Sequence, residues 1–101
     1  MSVNVLRSSA SFAVIDTAEE LQTAIMRLEP GEASGSKRNE HPHSEQVLYV
    51  VEGSIEAEIG DKRFAMHSGD SVIVPKEVAH RFSNTTQKIA VTFNVYAPPA
   101  Y

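Results

Sequence analysis

The sequence predicts an all-β domain, a sandwich or barrel of short strands, on three observations. Apolar runs of four to nine residues recur along the chain, and turn residues cut them at intervals of about 8–12 residues. One of them, "SIEAEI" (54–59), alternates strictly between apolar and polar, the period of a strand with one buried face. Helical signals are thin. "DTAEEL" (16–21) offers Asp16 and Thr17 as helix N-caps, but it is too short for more than about one turn.

The runs follow in order. "LQTAIMRL" (21–28) ends at Pro30-Gly31, and "VLYVV" (47–51) ends at Gly53. "SIEAEI" ends at Gly60-Asp61, where the Gly-Asp dipeptide marks a tight hairpin into "KRFAM" (62–66). "SVIV" (71–74) stops at Pro75, "HRFS" (80–83) at Asn84, and "KIAVTFNVY" (88–96) runs into Pro98-Pro99. The chain shows no linker, repeat or low-complexity segment, so its 101 residues (1–101) are expected to form a single domain.

Composition narrows the chemistry. A net charge of −4 with scattered Lys and Arg argues against a nucleic-acid partner, which would want a basic stripe. With no cysteine, disulfides, iron–sulfur clusters and thiolate zinc sites are excluded, so any metal must be held by nitrogen and oxygen. No stretch approaches the 18 or so apolar residues of a membrane-spanning helix. The first twenty residues lack the apolar core of a signal peptide, and the expected location is the cytoplasm.

The four histidines are His41, His43, His67 and His80. On a strand, residues i and i+2 project to one face, so "HPH" could present two imidazoles to one ion. The bland reading is a polar strand edge. The pair leads directly into "VLYVV", and His80 opens another strand-like run, so three imidazoles could converge across one core.

Here the sequence resembles a single-domain cupin, the small double-stranded β-helix or jelly-roll barrel. The family's first motif runs Gly, five residues, His-x-His, three or four residues, Glu, six residues, Gly. In this chain Gly35 is followed by "SKRNE", His41-Pro42-His43 and, later, "QVLYVVEG" closing on Gly53. The second motif runs Gly, five residues, Pro-x-Gly, two residues, His, three residues, Asn. It matches Gly69, "DSVIV", Pro75-Lys76-Glu77, Val78-Ala79, His80, "RFS" and Asn84.

The resemblance implies that His41, His43 and His80 bind metal and that Gly53, Gly69, Pro75 and Asn84 occupy turn positions. His67 matches nothing and reads as a solvated turn residue. Counting back from Gly53, Gln46 stands where the family has its metal-binding Glu, and it would bind through its side-chain carbonyl. Glu45 is the rival, since it would share the face of His43 on an unbroken strand. A second departure is Glu77 in the place of a glycine, and a turn of different shape is expected there.

Three imidazoles and an amide are neutral ligands suited to a divalent first-row ion, Fe, Mn, Ni, Co, Cu or Zn. The resemblance therefore implies a mononuclear metal centre acting on a small oxygenated molecule, with dioxygenase or isomerase/lyase chemistry. The alternative is a non-catalytic cupin that binds or senses a small ligand or metal. Arg27, Tyr49, Arg81, Asn94 and Tyr96 are candidates to surround the metal, each with a commoner role on a surface or in packing. From the parity of Gln46, Leu48 and Val50 should face the pocket while Tyr49 points away, and His80 and Phe82 should share a face. Partners are expected to be a small molecule and a second copy of the chain. An outward set of Val47, Tyr49 and Val51 would form the dimer contact.

Overall fold

A computed structural model describes residues 2–7, 9–35 and 42–101. Among these residues the fold is all-β: a short 3-10 turn at Val5–Arg7 precedes eight strands. These are β1 (Phe12–Thr17), β2 (Gln22–Leu28), β3 (Glu45–Glu52), β4 (Ser54–Ile59), β5 (Lys62–His67), β6 (Ser71–Val74), β7 (His80–Ser83) and β8 (Ala90–Ala97). They form two antiparallel sheets, one of five strands in the order β1-β2-β8-β3-β6 and one of three in the order β5-β4-β7. Among the described residues no helix is long and apolar enough to cross a membrane.

The sheets close on one core. Met26 and Leu28 from β2, Leu48 and Val50 from β3, Ile55, Ala57 and Ile59 from β4, and Phe82 from β7 supply most of it. Each comes from alternate positions of its strand, which is how a pleated strand buries one face only. In β3 the alternation is clean, with Gln46, Leu48 and Val50 inside and Glu45, Val47 and Tyr49 outside. A register shift against β8 between Val50 and Glu52 marks a bulge where the strand ends.

Strand β1 has no counterpart among the sequence-predicted runs. It pairs with β2 as the outermost strand of the larger sheet; its "FAVI" (12–15) is apolar, but no Gly, Pro or Asn bounds the run and its alternate residues are exposed, so it does not stand out as the other runs do. The helical turn expected at 16–21 does not form. Thr17 and Asp16 close β1, and Ala18 N–H donates to the Leu21 carbonyl at 2.8 Å to make the corner into β2. Asp16 does act on a local backbone amide, accepting from Thr17 N–H at 2.9 Å, but in a turn.

The β4–β5 hairpin pairs Ile59 with Lys62 across Gly60-Asp61. Its positive φ falls on Gly60 (59°) alone, the pattern of a II′ turn with glycine first. The buried Asn84 fixes the β7–β8 connection: its Nδ2 donates to the carbonyls of Leu28 (2.9 Å) and Lys88 (2.7 Å), and its Oδ1 accepts from Thr86 N–H (2.9 Å). Buried Gln22 does the same for the segment after β8. Its Oε1 accepts from the N–H groups of Ala100 (3.1 Å) and Tyr101 (2.9 Å), and its Nε2 donates to the Tyr101 carbonyl at 2.7 Å. That clasp sets the Tyr101 ring 4.9 Å from Phe12 and 5.1 Å from Tyr96, centroid to centroid.

Candidate functional site

A cavity of about 310 Å³ opens between the sheets. Met26, Leu28, Phe82 and Tyr96 supply apolar wall, and the cluster of Phe12 and Tyr101 adds to it. Two of the candidate ligands, Gln46 and His80, line the same space. Gln46 enters from β3 and His80 from the start of β7, in opposite sheets, and they are 3% and 5% exposed.

The hydrogen-bonding role of each is fixed by a main-chain carbonyl, which can only accept. His80 Nδ1 lies 3.1 Å from the Val78 carbonyl oxygen, so Nδ1 carries a proton and, in the neutral ring, Nε2 is the lone-pair nitrogen. Gln46 is fixed through a longer route. Thr92 Oγ1 donates its single proton to the Met26 carbonyl at 3.2 Å. It must then accept from Asn94, whose Nδ2 lies 3.0 Å away. Asn94 Oδ1 in turn accepts from Gln46 Nε2 at 2.7 Å, which casts Gln46 Oε1 as an acceptor. The interior therefore offers two lone-pair groups of neutral charge, the donor chemistry that suits a divalent transition metal. On that test Gln46 and His80 have the donor chemistry such an ion takes, two groups of the four expected.

The remaining candidate ligands stand differently. His41 lies outside the described residues. His43 is exposed in the turn ahead of β3 and is not part of the cavity lining. Gln46 and His43 are three positions apart and so fall on opposite faces wherever the strand is regular. Glu45 is exposed beside it, on the outward face of β3. Among the described residues no group of three or more His, Cys, Asp or Glu side chains is placed to hold an ion.

Of the five residues considered around the metal, Asn94 and Tyr96 are at the site, one holding Gln46 and the other lining the wall. Arg27 lines part of the cavity and lies 3.8 Å from Glu29. Arg81 turns away to the Gly35 carbonyl (2.7 Å) and to Glu58 (3.5 Å), and Tyr49 is on the exposed face. Leu48 and Val50 face inward as expected but pack in the core beside the cavity, whose apolar wall comes instead from β2, β7 and β8. His80 and Phe82 do share a face, their ring centroids 5.9 Å apart. His67 is exposed, with Nδ1 3.0 Å from Ser54 Oγ. Sequence reasoning did not foresee Thr92, which is buried two residues before Asn94 on the same face of β8.

Comparison with known proteins bears on the family and the fold. A family model described as "Cupin domain" matches residues 24–96. Protein SchB of Streptomyces halstedii is 35% identical over 69 residues, 68% of this chain and 47% of that protein. Polyketide synthase CurC of Streptomyces cyaneus is 38% identical over 61 residues, 60% of this chain and 37% of that protein. The chain thus spans less than half the length of these two relatives. The crystal structure of BH2720 from Bacillus halodurans superposes with a TM-score of 0.91 at 25% identity, covering 100% of this chain and 83% of that one.

Proposed function

The chain belongs to the cupin domain family, and on that premise we propose that it holds a divalent transition metal at the floor of its cavity and acts there on a small oxygenated molecule. The observation that carries the reading is that Gln46 and His80, from opposite sheets, are both buried in one cavity and both cast as lone-pair donors. His41 and His43 complete the ligand set, and for His43 this requires the 42–44 turn to bring its ring over the cavity. An ion held this way would supply Lewis acidity toward a carbonyl or enediol oxygen, or a place for dioxygen. The protein's own part is to exclude water with Met26, Leu28 and Phe82 and to keep the two donors in one orientation. The name of the Streptomyces cyaneus relative, a polyketide synthase, suggests that the small molecule belongs to polyketide chemistry. The expected setting is the cytoplasm.

The exposed His43 favours one second reading, a non-catalytic cupin in which Gln46 and His80 bind a small molecule through its hydrogen-bond donors. Thermal melting with and without added cobalt(II) separates the two. Under the metal reading, cobalt raises the midpoint of the wild type, His80→Ala abolishes that rise, and the metal-free midpoint moves much less. No cobalt effect on the wild type contradicts the metal reading. Equal loss of stability with and without cobalt makes His80 a packing residue.

A further inference from the structure

We propose that Asn94 and Thr92 are positioning residues forming a one-way hydrogen-bond relay from the Met26 carbonyl to Gln46, and that this relay demands an amide and not a carboxylate at position 46. The inference deepens the proposed metal site, and it rests on that reading for what Gln46 Oε1 faces. The relay itself stands on four consecutive groups. The Met26 carbonyl accepts from Thr92 Oγ1 at 3.2 Å, Thr92 Oγ1 accepts from Asn94 Nδ2 at 3.0 Å, and Asn94 Oδ1 accepts from Gln46 Nε2 at 2.7 Å. Every side chain in it is buried, Thr92 at 0% exposed, Asn94 at 1% and Gln46 at 3%.

The direction follows from proton counting. The carbonyl has no proton to give and Thr92 has only one, so each later group has a single role. Reversing Asn94 would point its Oδ1 at Thr92, pull the hydroxyl proton off the Met26 carbonyl and leave two oxygens facing each other without a hydrogen. A carboxylate at 46 sets its own oxygen against Asn94 Oδ1, and the relief is either that reversal or the uptake of a proton by the buried carboxyl, each at a cost. The departure from the usual glutamate at Gln46 is thus tied to Thr92, two steps away in the relay. The same constraint keeps the ligand set uncharged, so a bound ion retains its full positive charge toward a substrate oxygen.

The test is a stability cycle on metal-free, chelator-treated protein. Gln46→Glu in the wild type is expected to lower the melting midpoint by roughly 10 °C. In a Thr92→Val background, where nothing opposes reversal of Asn94, the same change is expected to cost at least about 4 °C less. Thr92→Ser, which keeps the hydroxyl, should restore the full cost. Equal drops in all three backgrounds would overturn the relay. Should any variant fail to fold, the wild type alone decides by NMR. A scalar coupling across the bond from Gln46 Nε2 to Asn94 Cγ supports the relay, and one from Asn94 Nδ2 to Gln46 Cδ overturns it. The outcomes separate the two claims: coupled stability without metal binding removes the metal reading alone, and additive stability with metal bound removes the relay alone.

Discussion

At single residues, backbone geometry makes two demands of opposite consequence. Glu77 has φ of 66°, so the turn after Pro75 does require the left-handed region, and the differently shaped turn expected from the sequence is not formed. A side chain there carries a cost of about 1 kcal/mol relative to glycine. Glu77→Gly is therefore expected to stabilise the fold by roughly 1 kcal/mol in urea unfolding; a neutral or destabilising result would refute the strain. Gly53 is the reverse case. It has φ of 81°, and a Cβ there would sit 2.6 Å from the Ile89 carbonyl oxygen and 3.0 Å from Ala90 Cα. Both neighbours are backbone, so Gly53→Ala is expected to cost roughly 2 kcal/mol or more, from strain and from displacement of the β8 entrance.

At the level of strands and hairpins, the β4–β5 pair carries the clearest electrostatic signal. The hydrogen bond from Arg63 holds the Glu56 carboxyl below the ordinary carboxylate range, and the charge of Arg63 adds to it. Because the folded value lies below the unfolded one, this contribution is present above the unfolded carboxylate range and fades as pH falls through the folded value. Arg63 is exposed and Glu56 half-buried at the surface, so solvent screens the pair and the effect on stability is small. Arg63→Gln should move the Glu56 titration, followed by carbon NMR, upward toward the ordinary value with little change in midpoint at neutral pH. An unmoved titration would mean the pair does not form in solution.

How far these elements could be read from sequence depends on which faces they bury. Strands β2 to β8 were legible because each is an apolar or alternating run that ends at or near Gly, Pro or Asn, and the β4–β5 hairpin was fixed by Gly60-Asp61. Strand β1 was not, since an edge strand with Phe12 and Val14 exposed leaves little contrast between its faces. At the site, the parity of β3 put Gln46 inside and Glu45 outside, which spacing alone had left open. The relay was illegible, because Thr92 and Asn94 meet Gln46 only through the β3–β8 register, pairing Leu48 with Asn94 and Val50 with Thr92.

Over the whole molecule, the larger sheet leaves its outer face open along β3 and β6. Val47 and Ile73 are register partners there, Ile73 is 62% exposed, and Tyr49 projects on the same side. Val51 is only half-buried and sits at the bulge, so the outward set expected from the sequence is better described with Ile73 in its place. Such a patch asks for a partner, and the proposed partner is a second copy of the chain. Light scattering at micromolar concentration should give a dimer mass, and Ile73→Lys with Tyr49→Glu should give a monomer that keeps its fold. A monomeric wild type would contradict this.

The central claim is that Gln46 and His80 serve a metal, and metal content tests it most directly. Elemental analysis of untagged protein, reconstituted with iron, manganese, nickel, cobalt, copper or zinc and then desalted, should find close to one ion per chain. The account predicts that the ion is lost in the double variant His41→Ala, His43→Ala and in His80→Ala. Folded wild-type protein that retains no ion after reconstitution, or variants that retain it as well as the wild type, would contradict it.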